Sequence, residues 1–120
     1  MNPLLLSERG SDRAVGYGLS SKLGRAGRQL LVGWVDASVK QGDRAQICLG
    51  VCDLVADGAA SLSQTQTLGE GIDNHYGPAL SLDGNGRLHA MIGDHHGPFL
   101  FRWSDGPADP GSWSDAEPLG

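Results

Sequence analysis

The sequence lacks a long apolar run, a cluster of basic residues and a framework of cysteines, and each absence excludes a class of protein. No run of about 18 apolar residues occurs, which excludes a membrane-spanning helix, and we expect no membrane partner. The nine basic residues are scattered and stand against fourteen acidic ones, for a net charge of -5. We therefore expect no nucleic-acid partner, because such proteins carry a basic patch.

Cysteine is scarce as well, since Cys48 and Cys52 are the only two in the chain. Both fall in one predicted strand, where four residues span about 13 Å, which is too far for a disulfide. We expect two reduced and largely structural thiols. The cysteines therefore leave the redox compartment open.

An export signal is also missing from the N-terminus. The segment MNPLLLSERGSD has a short apolar patch, but no basic region precedes it and the patch is shorter than the apolar core of a signal peptide. Residues 1–11 are therefore expected to form an N-terminal tail.

Glycine and proline, by contrast, are plentiful. The chain holds 19 glycines and six prolines, with only 39% hydrophobic residues, which favours short strands and many turns over long helices. The expected fold class is all-β. Strands are predicted at 13–19, 29–37, 45–55, 61–68, 78–82, 87–93, 98–104 and around Trp113. Turns are predicted at 24–27, 41–43, 57–58, 83–86, 94–97 and 105–111.

These strands group into two consecutive four-stranded units of about 45 residues, which is the period of β-propeller blades. We predict a partial β-propeller of about two blades, with residues 12–70 in the first and residues 71–120 in the second, incomplete at the chain end. Blades are stabilised by packing on their neighbours, so such a piece is expected to belong to something larger or to self-associate through its exposed faces. A sandwich of two four-stranded sheets also fits the pattern.

The pattern His-x-Gly-Pro occurs twice, at residues 75–78 and again at residues 95–98, on either side of a predicted turn. If that turn centres near Asn85, opposed residues of the hairpin have numbers that sum to 170, and His75 and His95 satisfy this sum. Their Cβ atoms would lie about 5 Å apart, at the end of the hairpin away from the turn. The sequence thus predicts a pair of imidazoles at one strand end.

The same sum predicts the rest of the hairpin register. It places Leu80 opposite Ala90 and Pro78 opposite Ile92. Because proline cannot donate to a ladder, regular pairing is expected to stop or start at Pro78 and Pro98, next to the histidines.

Other interpretations of these histidines remain open. Histidine followed by Gly-Pro is also ordinary turn chemistry. His75, His95, Asp94 and His96 could together bind a metal ion, although neither an HExxH nor a CxxC pattern is present. His96 is ambiguous, because neighbours in an extended chain point to opposite sides. His89 alternates with apolar neighbours and is predicted to be a packed or half-exposed strand residue. No activated serine is visible for Ser-His-Asp catalysis.

Several short motifs occur in an order and spacing typical of one family. They are Asp12-Arg13-Ala14-Val15, LLVGWVD at 30–36, Asn74-His75-x-x-Pro78-Ala79-Leu80, Asp83-Gly84-x-Gly86-x-Leu88-His89, Gly93-x-His95-x-x-Pro98-Phe99 and SDGPADPGSWSDAEPL at 104–119. With these motifs the chain resembles the BNR-repeat β-propeller family that includes ulvan lyases and related uronate-polysaccharide lyases. The resemblance covers nearly all of residues 12–119, and its last motif is a degenerate aspartate-box strand and turn.

The resemblance implies an acidic, uronate-containing polysaccharide as partner and β-elimination as the reaction. His75 would be the catalytic base or acid, and His95 the group that binds the uronate carboxylate. Asn74, Tyr76 and His96 would contact the substrate, and neither a cofactor nor a metal is implied. A non-catalytic carbohydrate-binding or interaction propeller of the same family is the alternative.

In the lyases that the chain resembles, a tyrosine and an arginine from later blades complete the site. Tyr76 does not occupy the position of that tyrosine, Arg87 lies at the turn end of the hairpin, and the sequence leaves the direction of Arg102 open. The chain therefore looks like an N-terminal fragment that is inactive alone. A polysaccharide substrate implies an extracellular or periplasmic location.

Overall fold

The structure, a computed structural model, confirms the all-β fold class. It describes residues 3–10, 13–15, 20–36, 44–55, 58–72, 75, 77–93, 97–107 and 109–119. Within these ranges the chain forms strands, turns and loops and contains no α-helix. The strands are β1 (Leu23–Ala26), β2 (Gln29–Asp36), β3 (Ala45–Leu54), β4 (Ala60–Gly71), β5 (Gly77–Leu82), β6 (Arg87–Gly93), β7 (Phe99–Pro107) and β8 (Glu117–Leu119).

The strands form two four-stranded antiparallel sheets, ordered β1-β2-β3-β4 and β5-β6-β7-β8. Each sheet is a meander, in which neighbours in sequence are also neighbours in space. An immunoglobulin-like sandwich instead joins its sheets by Greek-key connections, so the meander order favours blades. The architecture is a partial β-propeller of two blades that do not close into a ring.

The β5–β6 hairpin has the register that the sequence predicts. Leu80 pairs with Ala90 and Pro78 pairs with Ile92, and the ladder ends at the pair Gly77 and Gly93. The turn residues Asp83–Gly86 connect the two strands without a shift. The residue numbers of every pair sum to 170, because a short turn allows no register shift in an antiparallel hairpin.

The first strand differs from the prediction. Residues 24–27 were expected to form a turn, but residues 24–26 belong to β1, which pairs with β2. The turn comes next, at Gly27 and Arg28, and the positive φ of 59° at Gly27 suits a tight two-residue hairpin. Residues 13–15 of the predicted strand form a turn, and residues 16–19 lie outside the described residues. The sequence of β1 shows no strand periodicity. This segment is a strand because it forms backbone hydrogen bonds with β2.

The last strand also differs. Trp113 was expected in a strand, but it makes only an isolated bridge with Ser104, and β8 follows at residues 117–119. The indole Nε1 of Trp113 donates to Gln66 Oε1 of β4 at 2.8 Å, so this residue is held by a tertiary contact with the first sheet. Pro118 suits the edge position of β8, since proline cannot donate to a further strand.

The two sheets pack face to face through an apolar core. Its buried members are Leu31, Ile47, Leu49, Val51, Leu68, Leu80, Leu88, Ala90 and Ile92. Three glycines of the first sheet lie directly against side chains of the second: Gly24 against Leu82, Gly33 against Pro78 and Leu80, and Gly69 against Ile92. The glycines of the first sheet thus leave space in which apolar side chains of the second sheet pack.

The opposite face of the second sheet, which we call the open face, carries Ala79, Ser81, His89, Met91, Phe101 and Trp103. The His89 ring stacks on Phe101 with centroids 5.6 Å apart, and Trp103 follows Phe101 at the same centroid distance. Met91 is 40% exposed, and a cavity of about 160 Å³ lies beside these side chains. The open face is therefore apolar and accessible, as expected of a blade without a neighbour.

Candidate functional site

The candidate site is the end of the β5–β6 hairpin that lies away from its turn, which we call the histidine end. Gly77 and Gly93 face one another there as the last pair of the ladder. Gly93 has a φ of 119°, and a Cβ on it would lie 3.3 Å from the carbonyl oxygen of Pro98. This backbone conformation favours glycine.

Of the predicted site residues, the structure describes only one. His75 is a half-buried turn residue, two positions before the start of β5. Asn74, Tyr76, His95 and His96 lie outside the described residues. The pairing of His75 with His95 therefore stays a prediction, extrapolated from the register up to the last ladder pair.

Lys22 lies at the histidine end, and sequence reasoning did not find it. A Cβ built on Gly77 would lie 3.7 Å from Lys22 Cε and 3.8 Å from its Nζ. The ammonium donates to Ser20 Oγ at 2.5 Å, and partial burial lowers the pKa of the Lys22 amine. A positive charge thus accompanies the hairpin end that carries His75.

Backbone hydrogen bonds hold Lys22 in place. Gly33 N of β2 donates to Lys22 O at 2.7 Å, and Leu80 N of β5 donates to Ser21 O at 2.8 Å. Residues 20–22 therefore form a strap that bridges the two sheets. No local pattern signals this position, because the strap and the hairpin are far apart in the sequence.

The turn end of the hairpin has a different character. Asp83 Oδ1 accepts hydrogen bonds from the backbone N–H groups of Asn85 at 2.8 Å and Arg87 at 2.9 Å, while its Oδ2 lies 3.1 Å from His89 Nε2. The bond to His89, followed by that from Arg87, lowers the pKa of the Asp83 carboxyl group. These contacts tie down a tight turn, and His89 is a half-exposed strand residue as predicted.

Both arginines of the second sheet have structural contacts. Arg87 donates to the carbonyl oxygen of Asp105 at 3.3 Å, at the turn end. Arg102 NH1 donates to Leu68 O of the first sheet at 2.8 Å, and its Nε donates to Ser114 O, between β7 and β8, at 2.9 Å. Arg102 therefore joins the two blades, which answers the question of direction that the sequence left open.

A buried carboxylate organises the C-terminal end of β2, a central strand of the first sheet. Asp36 Oδ1 accepts hydrogen bonds from Ser7 Oγ at 2.6 Å and from Trp34 Nε1 at 3.0 Å, and its Oδ2 lies 3.8 Å from Cys48 Sγ. Burial, reinforced by the Asp36 charge, raises the pKa of the Cys48 thiol to about 11. Cys48 and Cys52 are both buried and free, as expected of structural thiols.

Metal ligation finds no support among the described residues, where no three His, Cys, Asp or Glu side chains are grouped closely enough to hold an ion. Asp94, His95 and His96 of the possible ligand set lie outside the described residues. In the part of the chain that the structure describes, no helix has the length and apolar character needed to cross a membrane.

The protein is thus a partial β-propeller of two blades, with a histidine and a lysine at one end of the β5–β6 hairpin. Comparisons with family models, curated proteins and solved structures find no match to this chain.

Proposed function

We propose that this chain is part of a BNR-repeat-like β-propeller that binds a uronate-containing polysaccharide at the histidine end and takes part in its cleavage by β-elimination. The register of the β5–β6 hairpin carries the proposal. Because Gly77 faces Gly93, the two His-x-Gly-Pro segments leave the sheet at the same end. Side chains at the ends of strands in a rigid sheet are where binding sites are commonly built.

The chemistry of β-elimination matches two imidazoles at one point. A base removes the C5 proton of the uronate, the electron pair forms the C4–C5 double bond, and the C4–O4 bond breaks as O4 takes up a proton. His75 would serve as base or acid, since an imidazole can both accept and donate a proton. His95 would donate a hydrogen bond to the carboxylate and stabilise the enolate charge that develops there. Such a substrate places the protein outside the cytoplasm.

Binding to this chain is the first test. Titration with a uronate oligosaccharide should show saturable binding, and His75→Ala or His95→Ala should weaken it about tenfold or more, the range for a hydrogen bond to a charged group. His89→Ala is the matched control, because His89 lies towards the turn end of the same hairpin. Equal affinities of all three variants and the wild type would remove the histidine end from the binding site.

Turnover is the second test. The chain by itself should produce no unsaturated uronate, which is followed by its ultraviolet absorbance, because the tyrosine and arginine of the proposed family are expected from other blades. In the complete propeller, His75→Ala or His95→Ala should slow elimination by about 10²- to 10⁴-fold. Binding without turnover in the complete propeller would instead support the non-catalytic carbohydrate-binding alternative.

A further inference from the structure

We infer that this chain assembles head to tail, with the open face of one copy docked on the first sheet of a second copy. The surface on the second copy is the side of the first sheet that is turned away from the core, which we call the outer face. Its apolar members share one side of β1, β2 and β4 and are Leu23, Leu30, Val32, Trp34 and Leu62. This inference goes beyond the polysaccharide site and does not depend on it, since neither face includes His75.

The two sheets of one chain already show how blade packs on blade. They have the same meander order and stack through their core sides, so the open face points in the same direction as the core side of the first sheet. The space beyond the open face is therefore the place that a third blade would take. A second copy placed there presents its outer face, because its own second sheet covers the core side of its first sheet.

The contact between copies thus repeats the contact within the chain. Each copy carries one open face and one outer face, so the interface is heterologous and joins unlike surfaces. Repeating such an interface gives a ring when the rotation closes, and a closed ring is also how propeller blades are stabilised.

The open face is similar to the core side of the first sheet in where its small residues lie. On the first strand of that sheet, a Cβ built on Gly24 would lie 3.6 Å from a methyl carbon of Leu82 in β5. On the first strand of the second sheet the small residues are Ala79 and Ser81, and the cavity of about 160 Å³ lies beside them. A leucine from the first strand of the next sheet fits this place, as Leu82 does at Gly24. In a second copy that leucine is Leu23 of β1, which is 58% exposed.

Both faces expose large apolar side chains to solvent. Besides Met91, the open side of the second sheet carries Phe99 and Leu119, which pair with each other and are each 44% exposed. Leu23 is the most exposed member of the outer face. Contiguous exposed apolar surface of this kind marks an interaction site, and head-to-tail docking would remove both patches from water.

Sedimentation velocity of the whole chain tests the two faces separately. Met91→Lys places a charge in the open face, and Leu23→Lys places one in the outer face. Both residues are exposed in the single chain, so each variant should fold. Docking would bury each ammonium without a partner, so each variant should associate at least about tenfold more weakly than the wild type. Val55→Lys, at an exposed residue beyond the end of β3, is the control and should associate like the wild type.

An equimolar mixture of the two variants tests the head-to-tail arrangement itself. Met91→Lys keeps an intact outer face, and Leu23→Lys keeps an intact open face. The mixture should therefore form dimers that contain one copy of each variant and nothing larger. Pairing of two open faces would instead leave Leu23→Lys associated like the wild type and give no mixed dimer.

Three results would overturn the inference: a wild type that is monomeric at all concentrations, either variant associating like the wild type, or a mixture that stays monomeric. Should a variant fail to fold, hydrogen exchange of the wild type at low and high concentration decides. Added protection at high concentration in both the β1–β2 and the β6–β7 segments supports head-to-tail docking. Protection of only one of these segments, or of neither, rejects it.

Discussion

Gly33 of β2 lies so close to Pro78 of β5 that a Cβ on the glycine would come within 2.6 Å of the proline Cγ. These residues belong to different sheets, so the bare backbone of Gly33 allows the two blades to approach. Gly33→Ala should therefore force the sheets apart and lower the free energy of unfolding by about 1–3 kcal/mol, the usual cost of overpacking. Urea unfolding followed by tryptophan fluorescence measures this loss.

Gly24→Ala is the matched control on the same face. A Cβ there would meet its nearest atoms at 3.5 Å, which is ordinary van der Waals contact. Stability should change by less than about 1 kcal/mol, since alanine also restricts the unfolded chain. Equal destabilisation by both substitutions would contradict the role of close approach at Gly33.

The Asp83 turn should make stability depend on pH in the acid range. The folded-state pKa of Asp83 is lowered, first by the hydrogen bond to His89 and then by that from the Arg87 backbone, so the unfolded chain binds the proton more strongly than the folded one. The contribution of the Asp83 carboxylate to the free energy of unfolding is complete above its unfolded-state pKa of about 3.9. It is lost as pH falls through the lower folded-state pKa. The substitution Asp83→Asn removes this stabilising contribution at every pH.

The measurement is urea unfolding of the wild type and Asp83→Asn at about pH 6 and about pH 3. The wild type should be the more stable protein at the higher pH, and the difference should shrink at the lower one. A difference that stays constant between the two would show that the Asp83 charge does not stabilise the turn.

The two thiols should be inert in the folded chain. Burial raises the pKa of Cys48 to about 11 and also raises that of Cys52, so little reactive thiolate exists at mildly alkaline pH. Iodoacetamide labelling followed by mass spectrometry should show both cysteines protected in buffer and both alkylated in urea. Rapid labelling without denaturant would mean that the first sheet opens readily around β3.

The open face of the second sheet should drive self-association. Met91 is 40% exposed beside the rings of Phe101 and His89, and exposed apolar patches of this kind mark interaction surfaces. Sedimentation velocity should show association that increases with concentration and that Met91→Lys reduces. Val55→Lys, which alters a residue 47% exposed beyond the end of β3, is the control. A monomer at all concentrations would show that the open face alone is too weak to associate.

The register of the β5–β6 hairpin was available from the sequence because its determinants are local. A short polar turn joins two segments of alternating pattern, and antiparallel geometry then pairs Leu80 with Ala90 without further information. The all-β class and the free thiols of Cys48 and Cys52 followed from composition and pattern in the same way. The prediction of a strand around Trp113 was wrong, because a hydrogen bond to Gln66 of the other sheet holds that residue.

Two features depended on contacts between distant segments. β1 is a strand only because β2 supplies its hydrogen bonds, and a four-residue segment is too short to show a period. Lys22 stands beside Gly77 only because the strap bonds to both β2 and β5. Local pattern thus determined which residues form the hairpin and its two histidine segments. The packing of one blade on the other, which no local signal encodes, decided that a lysine of the first blade lies at the histidine end of the second.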